Sequence, residues 1–184
     1  MASALKSKMT VDEFLSLAEA REGRWELHDG APVMLSPERV AHVDAKGVTY
    51  RTLWNAVERG GLPCCVYTDG VAIRIDAQTV YEPDASVARG PRPSPDAIEI
   101  ADPIILVEVL SPSTAAIDHG RKLSAYFSVP SVQHDLILDP ERRVAIHRKR
   151  GQGDAIETRV LADGFVRLDP PGLDIPVADM FAPL

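Results

Sequence analysis

The apolar positions change period several times along the chain, and each change predicts an element. After Thr10, Phe14, Leu17 and Ala18 fall on one helical face, and Glu13 stands three residues beyond Thr10. That is a capping box, and it predicts a helix closed by Gly23. In RWELHDGAPVML, Trp25 and Leu27 alternate with polar residues and an Asp-Gly pair follows, which predicts a hairpin. From about Glu38 to Arg59 the period is helical again, through Val40, Val43, Val48, Leu53 and Val57, and it stops at Gly60-Gly61.

Short strands are expected next at CCVYT, VAIRI, TVYEP and DASVA, separated by Asp-Gly or polar turns. RGPRPSPDA (89–97) is Pro-rich and reads as an exposed loop, either a tolerated insertion or a flap over a site. PIILVEVLSP is a nearly unbroken apolar, β-branched run, the mark of a central strand buried on both faces. A helix from Thr114 to Val129 follows, then strands at VQHDLILD, VAIHRKR, ETRVLA and FVRLD. Strand, helix, strand implies a right-handed crossover and at least one parallel pair. The class is α/β or α+β with a central mixed sheet, expected as one domain over 1–184 with a disordered tail at 1–8.

Composition narrows this only a little. A hydrophobic fraction of 45% and a charged fraction of 26% suit a globular protein. No apolar run reaches membrane-span length and MASALKSKMT lacks a signal-peptide core, so a cytoplasmic, membrane-free protein is expected. Adjacent Cys64 and Cys65 would point to opposite faces of a strand, and they read as two reduced thiols. The net charge of −7 argues against a broad basic surface for nucleic acid. Segment 142–150, RRVAIHRKR, carries five of the 20 basic residues and no acid. A phosphate contact and a solvated edge hairpin both fit it.

Chemistry concentrates in the middle of the chain. Asp84 in YEPDASVA and Glu108 in IILVEVLS interrupt strand-like runs, and Lys122 follows on the next predicted helix. Buried charges are expensive unless a partner or metal neutralises them. Each residue also has a plain reading: Glu108 paired with a lysine, Asp84 as a turn residue after Pro83, Lys122 in an i,i+4 pair with Asp118. Only the ordered set points to a metal-dependent phosphodiesterase site.

The segments WELHDG (25–30), SPERVAH (36–42), EPDASV (82–87), LVEVLSPST (106–114), DHGRKLSAY (118–126) and LILDPERR (136–143) resemble those of the Uma-type family. That family is grouped with restriction endonucleases in the PD-(D/E)XK nuclease superfamily and was long catalogued as a domain of unknown function. The resemblance runs from about residue 9 to 182. It implies a restriction-endonuclease-like core, a mixed sheet flanked by helices. It also implies that Asp84 and Glu108, with the Val109 carbonyl, hold Mg²⁺, Mn²⁺ being an admissible substitute. Lys122 would orient or deprotonate the attacking water, and Glu26 would be a further site acid. DNA would be the substrate and a homodimer the working form.

Two departures stand out. The lysine expected two residues after Glu108 is replaced by Leu110, so Lys122 is its substitute. His134-Asp135 occupies a place where the family usually has an aromatic pair. His42 and Tyr126 fit a cleft or a core equally well. The leading expectation is a Mg²⁺-dependent DNA endonuclease. A catalytically silent or regulatory binding protein on the same scaffold, and a hydrolase of smaller phosphate esters, stay open.

Overall fold

A computed structural model describes residues 8–110 and 118–182. The expected start of the third helix at Thr114, the SPST stretch of the central motif and the tail at 1–7 lie outside the described residues. The first helix, α1 (Val11–Glu19), opens on the predicted capping box: the Thr10 N–H donates to Glu13 Oε2 at 2.8 Å, and the Glu13 N–H donates to Thr10 Oγ1 at 3.3 Å. It ends at Glu19, a turn before Gly23, which instead adopts φ +93° in the bend leading to the first strand.

That strand, β1 (Trp25–His28), pairs with β2 (Ala31–Met34) across Asp29 and Gly30, whose φ values of 50° and 79° form the tight turn that an Asp-Gly pair favours. Helix α2 (Val40–Gly60) ends on Gly61 in the left-handed conformation. Its apolar stripe is only half used: Val48, Leu53 and Val57 are buried, whereas Val40 and Val43 are exposed. Strands β3 (Cys64–Thr68), β4 (Ile73–Asp76), β5 (Thr79–Tyr81) and β6 (Ala85–Arg89) follow as the turn pattern predicts. All seven residues of β7 (Pro103–Val109) are buried.

Helix α3 (Asp118–Ser128) crosses over to β8 (His134–Asp139), parallel to β7 in the register Glu108↔Ile137. Next come β9 (Val144–Arg150), β10 (Ile156–Leu161), β11 (Phe165–Leu168) and β12 (Leu173–Pro176), then a 3-10 helix at Val177–Phe181. The strand at 173–176 and the 3-10 helix were not foreseen, because each carries too few residues for a period to show.

A six-stranded mixed sheet, ordered β10-β9-β8-β7-β6-β3, forms the centre. One face, carrying Val66, Val87, Val107, Leu136 and Leu138, packs against α2, the β11–β12 hairpin and the 3-10 helix. On the other face Leu106 packs with Tyr126, Phe127, Ile73 and Tyr81, which belong to α3 and to a second sheet ordered β2-β1-β5-β4. No described helix is long and apolar enough to cross a membrane.

Two segments that each had two readings take definite places. The Pro-rich loop cannot be a flap over the acidic motifs. It leaves β6 at Arg89 and enters β7 at Pro103, the ends opposite Asp84 and Glu108. It is anchored there by Arg92, 5.3 Å from the Tyr67 ring centre, and by backbone bonds between Ala72 and both Ile98 and Ile100. RRVAIHRKR supplies β9, the inner strand of the hairpin that β9 and β10 make at the sheet's edge, and its basic residues divide: Arg142 and Arg143 are exposed, whereas Arg148 and Arg150 are engaged within the protein. Arg148 Nη1 donates to buried Asp135 at 3.0 Å. Arg150 donates to the carbonyls of Phe127, Val129 and Val132 at 2.8–2.9 Å, closing the end of α3.

The His134-Asp135 departure has a structural use. His134 Nε2–H donates to the Pro170 carbonyl at 2.9 Å, so Nδ1 must accept, and His147 Nε2–H supplies the proton at 2.9 Å. Burial pushes both imidazoles down to about 4. The unfolded chain therefore binds more protons between about pH 4 and pH 6.5, and the pair's contribution to stability is lost as pH falls through that window. Asp135, pushed up by burial to about 6, titrates in the opposite sense, so the diagnostic is a difference. We expect His147→Gln to lose less stability than the parent between pH 6.5 and 4, as read by urea denaturation at a series of pH values. Parallel curves would refute the neutral pair.

Candidate active site

The site lies where β7 ends, and local sequence explains how each group gets there. Glu108 is the one acid in the buried central strand, on the face that α3 covers. On α3, Lys122 and Tyr126 are four residues apart, hence on one helical face, and both are buried. Lys122 Nζ donates to Glu108 Oε1 at 3.2 Å and to Glu26 Oε1 at 3.0 Å. The Tyr126 hydroxyl donates to the same Glu108 oxygen.

Glu26 arrives from the second sheet. Pairing of Leu27 with Val80 sets β1 beside β5, and the Glu82 N–H donates to Glu26 Oε1 at 3.0 Å while His28 holds Oε2 at 2.8 Å. Tyr81 lies beneath, with Lys122 Nζ 5.4 Å from its ring centre and edge contacts to His28 and Tyr126. Asp84 stands just before β6, whose Ala85 pairs with Val107. Its Oδ2 accepts the Val109 N–H at 2.7 Å, tying it to the residue after Glu108.

A second group of charges adjoins Asp84. Lys46 on α2 reaches Asp84 Oδ1 at 3.6 Å and also contacts Glu38 and Asp69. Arg24 bridges Glu38, Asp69 and Glu82 at 2.7–3.1 Å. His42 Nε2 lies 3.7 Å from Asp84 Oδ2. Glu38, His42 and Asp84 offer ligand atoms within 4.8 Å of one another, with the Lys46 ammonium among them.

The electrostatics separate the carboxylates. Burial alone would raise Asp84, but His42, the Val109 N–H and Lys46 hold it below the ordinary carboxylate value. Glu26 is likewise lowered: burial opposes, and His28, Lys122 and the Glu82 N–H prevail. Glu108 goes the other way. Burial pushes it up to about 8 against the pull of Lys122, and the charges of Asp84 and Glu26 add to the rise. Burial and the Glu108 carboxylate keep the Tyr126 hydroxyl protonated. The adjacent Asp84 holds His42 above the usual imidazole value.

All four predicted side chains thus meet at one end of the sheet, with His42 and Tyr126 alongside. Residues 11–178 match the model of Uma2, described as "Putative restriction endonuclease". The chain belongs to the Uma2 family. An uncharacterised protein of Synechocystis sp. (strain PCC 6803) is 29% identical over 177 residues, covering 95% of this chain and 92% of that one. The crystal structure of "a putative nuclease belonging to DUF820" from Anabaena variabilis superposes with a TM-score of 0.74 at 20% identity, over 94% of this chain and 97% of that one. At that identity the likeness establishes the fold, which is restriction-endonuclease-like.

Within this Uma2 frame, three partners escaped the sequence reading. Lys46 was legible in principle: it lies four residues after His42, on the stripe of Thr49, Leu53 and Ala56, where a buried lysine needs an acid. Asp69 in an Asp-Gly turn carried no signal, since only the pairing of Thr68 with Ala85 sets it beside Asp84. Arg24 reads as an ordinary residue before a strand. Removing the buried Lys46 takes away the cation that contacts Glu38, Asp69 and Asp84 together, leaving Arg24 on the first two and His42 on the third. Lys46→Met should destabilise the fold by on the order of 2 kcal/mol. Arg74→Ala, at a more exposed ion pair with Glu99 and Asp12, should change it by less than about 1 kcal/mol. Urea denaturation of both variants checks the contrast.

Proposed function

We propose that this chain is a divalent-metal-dependent DNA endonuclease. The observation that carries the reading is the convergence of Glu26, Glu108 and Lys122 from three separate elements within 3.0–3.2 Å, with Asp84 tied to Val109 beside them. A buried strand end has no packing need for three carboxylates, and their gathering there beside Lys122 and Lys46 calls for a chemical use.

The donor set suits a hard cation. Mg²⁺ prefers carboxylate and carbonyl oxygens and keeps several waters. Asp84 and Glu108, with the Val109 carbonyl, are the ligands we assign, and Glu26 stands next to them for direct or water-mediated contact. Mn²⁺ accepts the same oxygens. When bound, such a cation polarises a phosphoryl oxygen and lowers the pKa of a water.

The chain's own residues supply the rest. Lys122, gripped by Glu26 and Glu108, has its ammonium positioned where a water can be oriented and where charge on the phosphate grows. Tyr126 and Tyr81 fix that lysine and its acceptor between rigid walls, so little reorganisation is needed. Glu26, kept ionised by His28 and Lys122, is the group suited to take a proton through water. Lys122 thereby stands in for the position vacated at Leu110.

The substrate we assign is duplex DNA in the cytoplasm, with two copies of the chain acting on the two strands. The net charge of −7 leaves DNA grip to a local surface or a partner subunit. Incubating the protein with plasmid and single-stranded DNA and Mg²⁺ or Mn²⁺ tests this. Glu108→Ala and Lys122→Ala should each lower cleavage by at least ~10²-fold, as loss of an essential electrostatic contact does. Cleavage indifferent to both substitutions would sink the mechanism. Absence of cleavage together with absence of calorimetric Mg²⁺ and Mn²⁺ binding would favour a binding protein on the nuclease scaffold.

A further inference from the structure

Among the described residues, β10 is hydrogen-bonded on one side only, to β9, and it is the terminal strand of the central sheet. Its first five residues are exposed, Val160 at 68% and Ile156 at 38%. A regular edge strand with apolar side chains is a template for another strand unless something blocks it. Ile156–Leu161 contains no proline, no glycine and no lysine, and its two charges, Glu157 and Arg159, are of opposite sign and so can answer each other across a pairing.

We infer that the free edge of β10 pairs antiparallel with β10 of a second copy of this chain, about a two-fold axis at Thr158. In such a pairing the axis passes midway between two equivalent residues, so one residue must face its own copy. Centring on Glu157 sets acid against acid, and centring on Arg159 sets base against base. Centring on Thr158 sets Thr against Thr, Glu157 against Arg159 of the second copy twice over, and Ile156 against Val160 twice over. Each of these cross-strand pairs is of a favourable kind. The strand Ile-Glu-Thr-Arg-Val is complementary to itself in that one register, and like charges oppose the two neighbouring ones.

This inference rests on the dimer reading above and gives it a place. Val160 pairs with Ile146, Ile146 with Ile137, and Ile137 with Glu108, so these four side chains share one face of the sheet. A two-fold axis perpendicular to the sheet keeps that face on the same side in both copies. Both Glu108 side chains then project from one face of a continuous sheet twice as wide.

Sedimentation equilibrium of the full chain tests the charge pairs. Glu157→Arg and Arg159→Glu should each weaken dimerisation about 10-fold or more, because each converts two attractive pairs into two repulsive ones. The double variant E157R/R159E should restore it to within about 3-fold. In a C64S/C65S background, Thr158→Cys should give a disulfide-linked dimer under mild oxidation, since facing residues in a strand pair have Cα atoms ~4.5–5.5 Å apart, within disulfide range. Asp154→Cys, in the preceding turn, should not. A dimer whose affinity is the same in both single variants would overturn the β10 interface and leave the homodimer standing elsewhere. A chain monomeric at every concentration, with no Thr158→Cys cross-link, would overturn both. Neither result bears on the nuclease chemistry, which the cleavage assay reads separately.

Discussion

The rest of the structure is arranged around one buried carboxylate. Glu108 sits in the buried central strand between Val107 and Val109, and moving an ion there from water costs several kcal/mol before any partner is supplied. A leucine in its place would contribute about 1.5–3 kcal/mol by burial alone. Stability therefore does not explain it. Lys122 and Tyr126, one helical turn apart on α3, meet Glu108 at the same oxygen, and their spacing sets how α3 lies over β7. Because Lys122 also grips Glu26, the same ion pair fastens the second sheet to the first.

Asp84 extends this arrangement into a chain of alternating charge. It is bound to the backbone of β7 at Val109, and through Lys46 and His42 it is bound to α2. Lys46 in turn contacts Asp69 and Glu38, which Arg24 bridges to Glu82. Four elements thus reach the strand end through charged side chains while apolar packing holds their other faces. The two kinds of bond have different jobs. The aliphatic layers hold the sheet and helices together, and the polar network sets where Glu26, Asp84 and Glu108 stop relative to one another. Networks of this sort are costly when incomplete, which is why the lysines are buried alongside their acids.

The His134–His147 pair and the arginines of β9 show charged and polar residues put to structural use. Arg148 neutralises Asp135 under the site face, and Arg150 closes the carbonyl end of α3. Two arginines of a basic run that looks like a nucleic-acid surface are thus spent inside the protein. What it does for the site is indirect: it keeps α3, and with it Lys122, in place.

The sequence by itself determined the strand and helix sequence over most of the chain, because hydrophobic period, the Thr10 capping box, the Asp-Gly turn and the Gly60-Gly61 stop are local signals. It also singled out Asp84 and Glu108, since charges that interrupt strand-like apolar runs stand out against their neighbours; Lys122 was marked by its order after them, and Glu26 by the family resemblance alone. Tertiary structure decided what no local signal carries. The register of β3 on β6 put Asp69 beside Asp84, and the order of strands made β9 internal. The direction of β6 and β7 sent the Pro-rich loop to the far end of the sheet. Short elements at 173–181 formed because the face of the central sheet needed cover, not because their residues insisted on it. Local patterns report which residues must be buried or turned. Which of them face one another is set by pairing between segments tens of residues apart, where one step of register exchanges every side chain's face.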